Sequence, residues 1–176
     1  MAIEAKQYAK ALFDIAREKD SLDENKVALK KLLGYFDEVE ELWPFMLNIS
    51  INKQAKKDVM TKALGDSASR IFINFIKVLI DKDAIKFLPD VDKNYNKLYN
   101  EHYNIIEIKV TSALALCDDD IQAIRDRYKK KFEGFDVEVL NVVDKNIIGG
   151  IKIEYKDRVV DATFKTKLMK LREHIR

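Results

Sequence analysis

The sequence predicts an α+β fold in two parts, an antiparallel six-helix bundle over residues 1–104 and a small α+β domain over 105–176. Three observations lead there. Apolar residues recur with a helical period from Ile3 to about Asn104, and with a period of two from Ile105. Glycine (5) and proline (2) are scarce in 176 residues, which favours long regular elements over loops. Gly134, Gly149 and Gly150 all fall after the change of period.

The first helix runs near Ile3–Lys19, with Ala5, Tyr8, Ala9, Leu12, Phe13, Ile15 and Ala16 apolar and Lys6, Lys10, Asp14 and Arg17 opposite. The second, about Asp23–Glu40, places Leu29, Leu32, Leu33, Phe36 and Val39 three and four apart. Trp43-Pro44 then breaks the chain, and Pro44 opens a short helix over Phe45–Asn48. A fourth covers Lys53–Leu64 and ends at Gly65, a C-terminal cap. Ser67–Asp81 and about Pro89–Asn104 complete the set, and the short connections make neighbours antiparallel. Tyr95, Tyr99 and Tyr103, four apart, read as one helix face packed into the bundle.

In the second part, Ile106, Ile108 and Val110 alternate with Glu107, Lys109 and Thr111 as a half-buried strand. Asp118–Lys131 is a helix whose opening aspartates and closing lysines complement its macrodipole. Strands follow at about Phe135–Val143 and Ile147–Tyr155. Lys156-Asp157 turns into a strand at Arg158–Asp161, and a helix over about Thr163–Ile175 closes the chain.

Composition excludes several classes. With 32 Lys+Arg against 30 Asp+Glu, the chain has no blanket attraction for nucleic acid or anionic lipid. One cysteine, Cys117, permits neither an internal disulfide nor a cysteine-rich metal framework. No run reaches the roughly 18 apolar residues of a membrane span. The opening Met1-Ala2-Ile3-Glu4-Ala5-Lys6 leads into a mixed-charge helix rather than a signal peptide. A soluble protein of a reducing compartment is expected.

Catalytic chemistry finds no foothold. His102 and His174 each lack a second ligand at i+3 or i+4. Cys117 becomes a nucleophile only if the fold brings a histidine to it. Gly149-Gly150 stands inside a strand pattern, without the Lys-Ser/Thr or following helix of a phosphate loop, so both glycines read as structural. No catalytic residue, cofactor or metal is expected.

One helix carries more apolar surface than its place requires. Around Ser67–Asp81 the residues Ile71, Phe72, Ile73, Phe75, Ile76, Val78, Leu79 and Ile80 cover an arc of about 220°, against the little over 100° of an ordinary surface helix. The first helix is similarly broad, its extra face built from alanines. Either these helices are central in the bundle or they share a groove that receives an amphipathic helix from another protein.

Three stretches give the chain a family resemblance. They are Tyr8-Ala9-Lys10-Ala11-Leu12-Phe13; Asn74-Phe75-Ile76-Lys77-Val78-Leu79 through Leu88-Pro89; and the most specific, Val137 to Asp161. The last contains Val143-Asp144, Ile147-Ile148-Gly149-Gly150-Ile151 and Asp157-Arg158-Val159-Val160-Asp161, and leads to a helix starting Phe164-Lys165. In order and length the whole chain resembles the delta subunit of bacterial F-type ATP synthases, counterpart of the mitochondrial oligomycin sensitivity-conferring protein. It departs at Lys156, where the family often has glycine, and at Ala162-Thr163, where Gly-Ser is common. Cys117 replaces a common serine, which leaves helix capping to Asp118.

The resemblance implies a non-catalytic stator component of the proton-translocating ATP synthase, holding the catalytic head against the torque of the rotor. It implies a bacterial protein, monomeric when isolated and single-copy in the complex, peripheral at the cytoplasmic face of the cell membrane. The N-terminal domain would take the N-terminal helix of an alpha subunit between helices one and five. Its candidate residues are Tyr8, Ala9, Ala11, Leu12, Ile15, Ile73, Ile76, Val78 and Ile80. The C-terminal domain would grip the C-terminal ends of the b-subunit pair through Phe164, Leu168 and Leu171 with Lys165, Lys167 and Lys170. On the residues alone, a different helix-capturing adaptor, an enzyme using Cys117 and a nucleic-acid binder using the tyrosine and lysine face also stand. The Gly149 to Asp161 run favours the stator.

Overall fold

The computed structural model describes residues 2–65, 68–156 and 158–174, without the side chains of Ala2, Lys167, Lys170, Leu171, Glu173 and His174. The chain forms two compact units, Met1–Tyr99 and Asn100–Arg176. It is α+β, rich in helix, with one small sheet.

The first unit holds α1 (Ala2–Glu18), α2 (Leu22–Glu38), α3 (Leu42–Leu47), α4 (Lys53–Leu64), α5 (Arg70–Asp81), a 3-10 turn over Ile85–Phe87 and most of α6 (Leu88–His102). Every one of these helices sends side chains into one apolar core, among them Leu12, Leu32, Met46, Met60, Phe72 and Leu88. Ala5, Ala9 and Ala16 are fully buried there. The small side chains of α1 thus let neighbouring helices of the same unit come close, and only Ala11 of that set faces solvent.

Two helix starts differ from expectation for local reasons. α3 begins at Leu42 rather than Phe45, because Pro44 fits a first turn, where its missing N–H has no intrahelical partner to lose. α5 begins at Arg70, where Ser69 Oγ accepts the Phe72 N–H at 3.2 Å and caps it. Ser67, expected to open that helix, lies outside the described residues. α4 is capped by Asn52, whose side chain accepts the Gln54 N–H. Its last backbone carbonyls meet Gly65, which has a φ of 52°. Lys53 and Lys57 tie α4 to the end of α5. Lys53 Nζ donates to the Asp81 carbonyl and to Asp83 Oδ2, both at 2.7 Å, and Lys57 pairs with Asp81 at 2.6 Å.

The three tyrosines divide by depth. Tyr95 is fully buried and its hydroxyl donates to the Leu22 carbonyl at 3.0 Å. Tyr99 is partly buried and its hydroxyl donates to Asp23. Tyr103 lies past the end of α6 and is 42% exposed, so the expected third member of the packed face is absent from it.

The second unit contains β1 (Ile105–Ser112), α7 (Asp118–Lys131), β2 (Asp136–Val143), β3 (Ile151–Tyr155), β4 (Arg158–Asp161) and α8 (Phe164–His174). The strands lie in the order β2-β1-β3-β4. β1 and β2 are parallel, as a connection through a helix allows, and β3 is antiparallel to both β1 and β4. Ile106, Ile108, Val110, Val137, Ile153 and Tyr155 form a core with Tyr128 of α7. Alternate residues on the other face carry charge, with Glu154 paired to Lys152 at 2.6 Å and Lys109 at 3.7 Å.

Here too the sequence pattern overreaches. The strand expected from Ile147 begins at Ile151. Gly150 has a φ of 83°, outside strand conformations, and a Cβ there would lie 2.5 Å from the Ala162 carbonyl oxygen. The apolar pair Ile147-Ile148 is therefore loop, with Ile148 83% exposed. At the β3–β4 turn, Lys156 itself adopts the left-handed φ of 50° that glycine often supplies. Asp157 and Ile175 lie outside the described residues.

Helix entrances also resolve differently. Cys117 is the residue before α7 but makes no capping bond; its thiol donates to Asp120 Oδ2 at 3.1 Å. Asp118, expected as the cap, is already the first helical residue. Before α8, Thr163 Oγ1 accepts the Thr166 N–H at 3.4 Å, and Asp161 accepts the Thr163 N–H at 2.9 Å.

Candidate functional site

α1 and α5 approach each other within the first unit, so their outer flanks form the surface where a shared groove was expected. The side chains divide by helical phase. Ala9, Leu12, Ile76 and Ile80 are at most 2% exposed and belong to the core. This corrects their assignment to a partner surface: they point at the centre of the unit. Ile15 and Val78 are each 47% exposed, Ala11 is exposed, and Tyr8 and Ile73 are partly buried.

On α1, Tyr8, Ala11 and Ile15 stand at i, i+3 and i+7 and make one stripe beside the core face. On α5, Val78 shares a stripe with Ile71 and Phe75, both partly exposed, at i, i+4 and i+7. Ile73 is five residues from Val78, about 140° around the helix, so the two occupy different flanks. Sequence reasoning placed Ile71 and Phe75 in the apolar arc without assigning them to the surface; their spacing from Val78 carried that signal.

In the second unit, Phe164 and Leu168 lie four apart on α8 and are 53% and 64% exposed. Lys165 is exposed beside them, as is Met169, which sequence reasoning missed. The side chains of Lys167, Lys170 and Leu171 lie outside the described residues. Gly149 and Gly150 hold the lead-in to this helix. The Phe164 N–H donates to the Gly149 carbonyl at 3.0 Å, and its ring packs against the Gly149 α-carbon.

Among the described residues no three His, Cys, Asp or Glu side chains converge as a metal site. An open cavity of about 340 Å³ lies between α7 and β2, lined by Ile105, Arg125, Lys129, Asp136, Val137 and Glu138. Lys129 and Asp136 within it pair at 2.7 Å. No serine, threonine, cysteine or histidine lines it.

Comparison with known proteins decides the kinship. Residues 5–175 match the ATP synthase delta (OSCP) subunit family. The chain belongs to that family. The delta subunit of Acetivibrio thermocellus is 32% identical over 167 residues, 95% of this chain and 94% of that one. That of Caldanaerobacter subterraneus is 33% identical over 172 residues, 98% and 96% of the two chains. A chain of the Toxoplasma gondii mitochondrial ATP synthase has the same fold, with a TM-score of 0.76 over 97% of this chain and 96% of its own, at 16% identity. As a delta/OSCP subunit the chain is a non-catalytic stator component of an F-type ATP synthase.

Proposed function

We propose that the first unit, read as an antiparallel bundle, caps the catalytic head by binding the amphipathic N-terminal helix of an alpha subunit between α1 and α5. The observation that carries this is the pair of partly exposed apolar stripes, Tyr8, Ala11 and Ile15 on α1 and Ile71, Phe75 and Val78 on α5. An amphipathic helix presents apolar side chains at matching spacing, and Ala11 lets its backbone come near. The second unit holds the C-terminal ends of the b-subunit stalk along α8, with Phe164 and Leu168 as apolar anchors and Lys165 at the rim. The assembled joint is peripheral to the cytoplasmic face of the bacterial membrane; no described helix is long and apolar enough to cross one.

Calorimetric titration of the chain with a synthetic peptide of the alpha N-terminal helix tests the first assignment. The expected result is a one-to-one complex of micromolar or better affinity, with the negative heat-capacity change of apolar burial. Folded protein that gives no heat and no change in Trp43 fluorescence would overturn it.

A further inference from the structure

At one end of the small sheet, the C-terminus of α7 meets the β3–β4 turn around a cluster of aromatic rings. The ring centres of Tyr128, Phe132 and Tyr155 lie 5.3–6.1 Å apart. Lys131 Nζ stands 5.0 Å from the Tyr155 ring centre, 5.5 Å from Tyr128 and 5.7 Å from Phe132. It also donates to the Tyr155 hydroxyl at 2.9 Å. Lys156 Nζ stands 5.2 Å from the Phe135 ring centre and 5.6 Å from Phe132. Arg158 is the cross-strand neighbour of Tyr155. The hydrogen bond from Lys131, with the nearby charges of Lys131 and Arg158, lowers the pKa of this phenol.

Lys129 is paired with Asp136, but among the described residues no carboxylate pairs with Lys131, Lys156 or Arg158. Residues 127–136 and 155–158 together carry six basic side chains against three acidic ones. Gathering like charges costs stability, and the rings offset part of that cost through cation–π attraction. The rings also hold two ammonium heads in fixed places, so less side-chain freedom is lost when an anion arrives. Lys131 uses one of its three donors on Tyr155, and Arg158 presents a fork suited to a carboxylate. Phe135, 40% exposed, supplies an apolar rest beside them.

We propose that this end of the second unit binds an acidic peptide segment, its carboxylates taking the free donors of Lys131, Lys156 and Arg158 and its aliphatic stems lying on Phe135. A protein segment fits better than an anionic membrane. Along α7 the lysines gather at one end while the other opens on Asp118, Asp119 and Asp120, so this helix offers a bilayer no long basic face. Arg158 opens β4, whereas Phe164 of α8 follows the other end of that strand.

The test is an isotope-edited NMR titration of the full chain with acetylated hexaglutamate. Shifts are expected at Lys131, Phe132, Tyr155, Lys156 and Arg158, with affinity falling as salt screens the contact. Binding weakens about tenfold in Lys156→Glu/Arg158→Glu and is unchanged in Lys165→Glu on α8. The ionisation of Tyr155 moves upward in the complex, as the carboxylates draw Lys131 and Arg158 from its oxygen. Should the double variant lose its fold, the neutral Arg158→Gln carries the comparison. Shifts centred on α8, or equal weakening by Lys165→Glu, would overturn the proposal. Inorganic phosphate binding as tightly as the peptide would reduce the cluster to a simple anion site. Binding of phosphatidylglycerol vesicles without a peptide response would make it a lipid site; either outcome defeats the peptide assignment.

Discussion

The ring of Phe164 rests so closely on Gly149 that a Cβ at that glycine would lie 2.7 Å from both Cδ2 and Cε2 of the ring. One residue on, Gly150 faces backbone instead: a Cβ there would lie 2.5 Å from the Ala162 carbonyl oxygen and 2.9 Å from the Thr163 α-carbon. The two glycines therefore differ in what a substitution would displace. Gly149→Ala pushes on a side chain that is 53% exposed. Gly150→Ala meets main chain and also strains a φ of 83°. Urea denaturation should show Gly150→Ala losing about 1–3 kcal/mol from backbone strain alone, and Gly149→Ala less.

The division of α1 and α5 into core and flank separates stability from binding. Ala11→Asp and Val78→Asp put charge where solvent already reaches, so unfolding free energy should stay within about 0.5 kcal/mol. Affinity for the alpha-helix peptide should fall by about 2–4 kcal/mol, read by calorimetry. Ile76→Asp should instead abolish the cooperative thermal transition, because Ile76 is 1% exposed and the carboxylate would have no water. A soluble, folded Ile76→Asp that loses only binding would reverse the assignment.

The buried hydroxyl of Tyr95 anchors α6 to the start of α2 through the Leu22 carbonyl. Tyr95→Phe keeps the ring and its edge contact with Phe13, 5.8 Å between centres, but removes the donor. The expected loss is about 1 kcal/mol in chemical denaturation, the usual net worth of such a bond.

Two aspartates should move stability with pH in opposite directions. Burial raises the Asp92 pKa against the Asn96 hydrogen bond and the charges of Lys26 and Lys30. Its contribution is full below the ordinary value of 3.8 and is lost as pH rises through the folded value, so Asp92→Asn should raise Tm at neutral pH. Asp161 is lowered, chiefly by the Thr163 backbone N–H and then by the Thr163 and Thr166 side chains. Its contribution is present above 3.8 and lost as pH falls through the folded value. Asp161→Ala should therefore lower Tm at pH 7 and leave it unchanged in strong acid.

The sequence by itself determined the features set by local periodicity and local chemistry. The change of period at Ile105, the length of α7 with charge at both poles, and the cap at Gly65 each depend on residues a few positions apart. The α+β class and the kinship were legible for the same reason, since ordered runs such as Gly149 to Asp161 survive in the linear order of residues. The apolar arc of α5 was visible too, but an arc does not say which of its edges is covered. Only tertiary packing decided that Ile76 and Ile80 face inward while Val78 stays at the surface, and that Ala5, Ala9 and Ala16 of α1 serve its own unit. A turn from Asp144 to Ile147 and the approach of Ala162 to Gly150 leave Ile147-Ile148 in a loop instead of the expected strand. The cluster of Lys131 and Lys156 on four rings joins residues up to 28 positions apart across a helix end and a hairpin. No periodicity within either segment encodes such a meeting, because it is fixed by the register of β3 on β1 and by how α7 lies on the sheet.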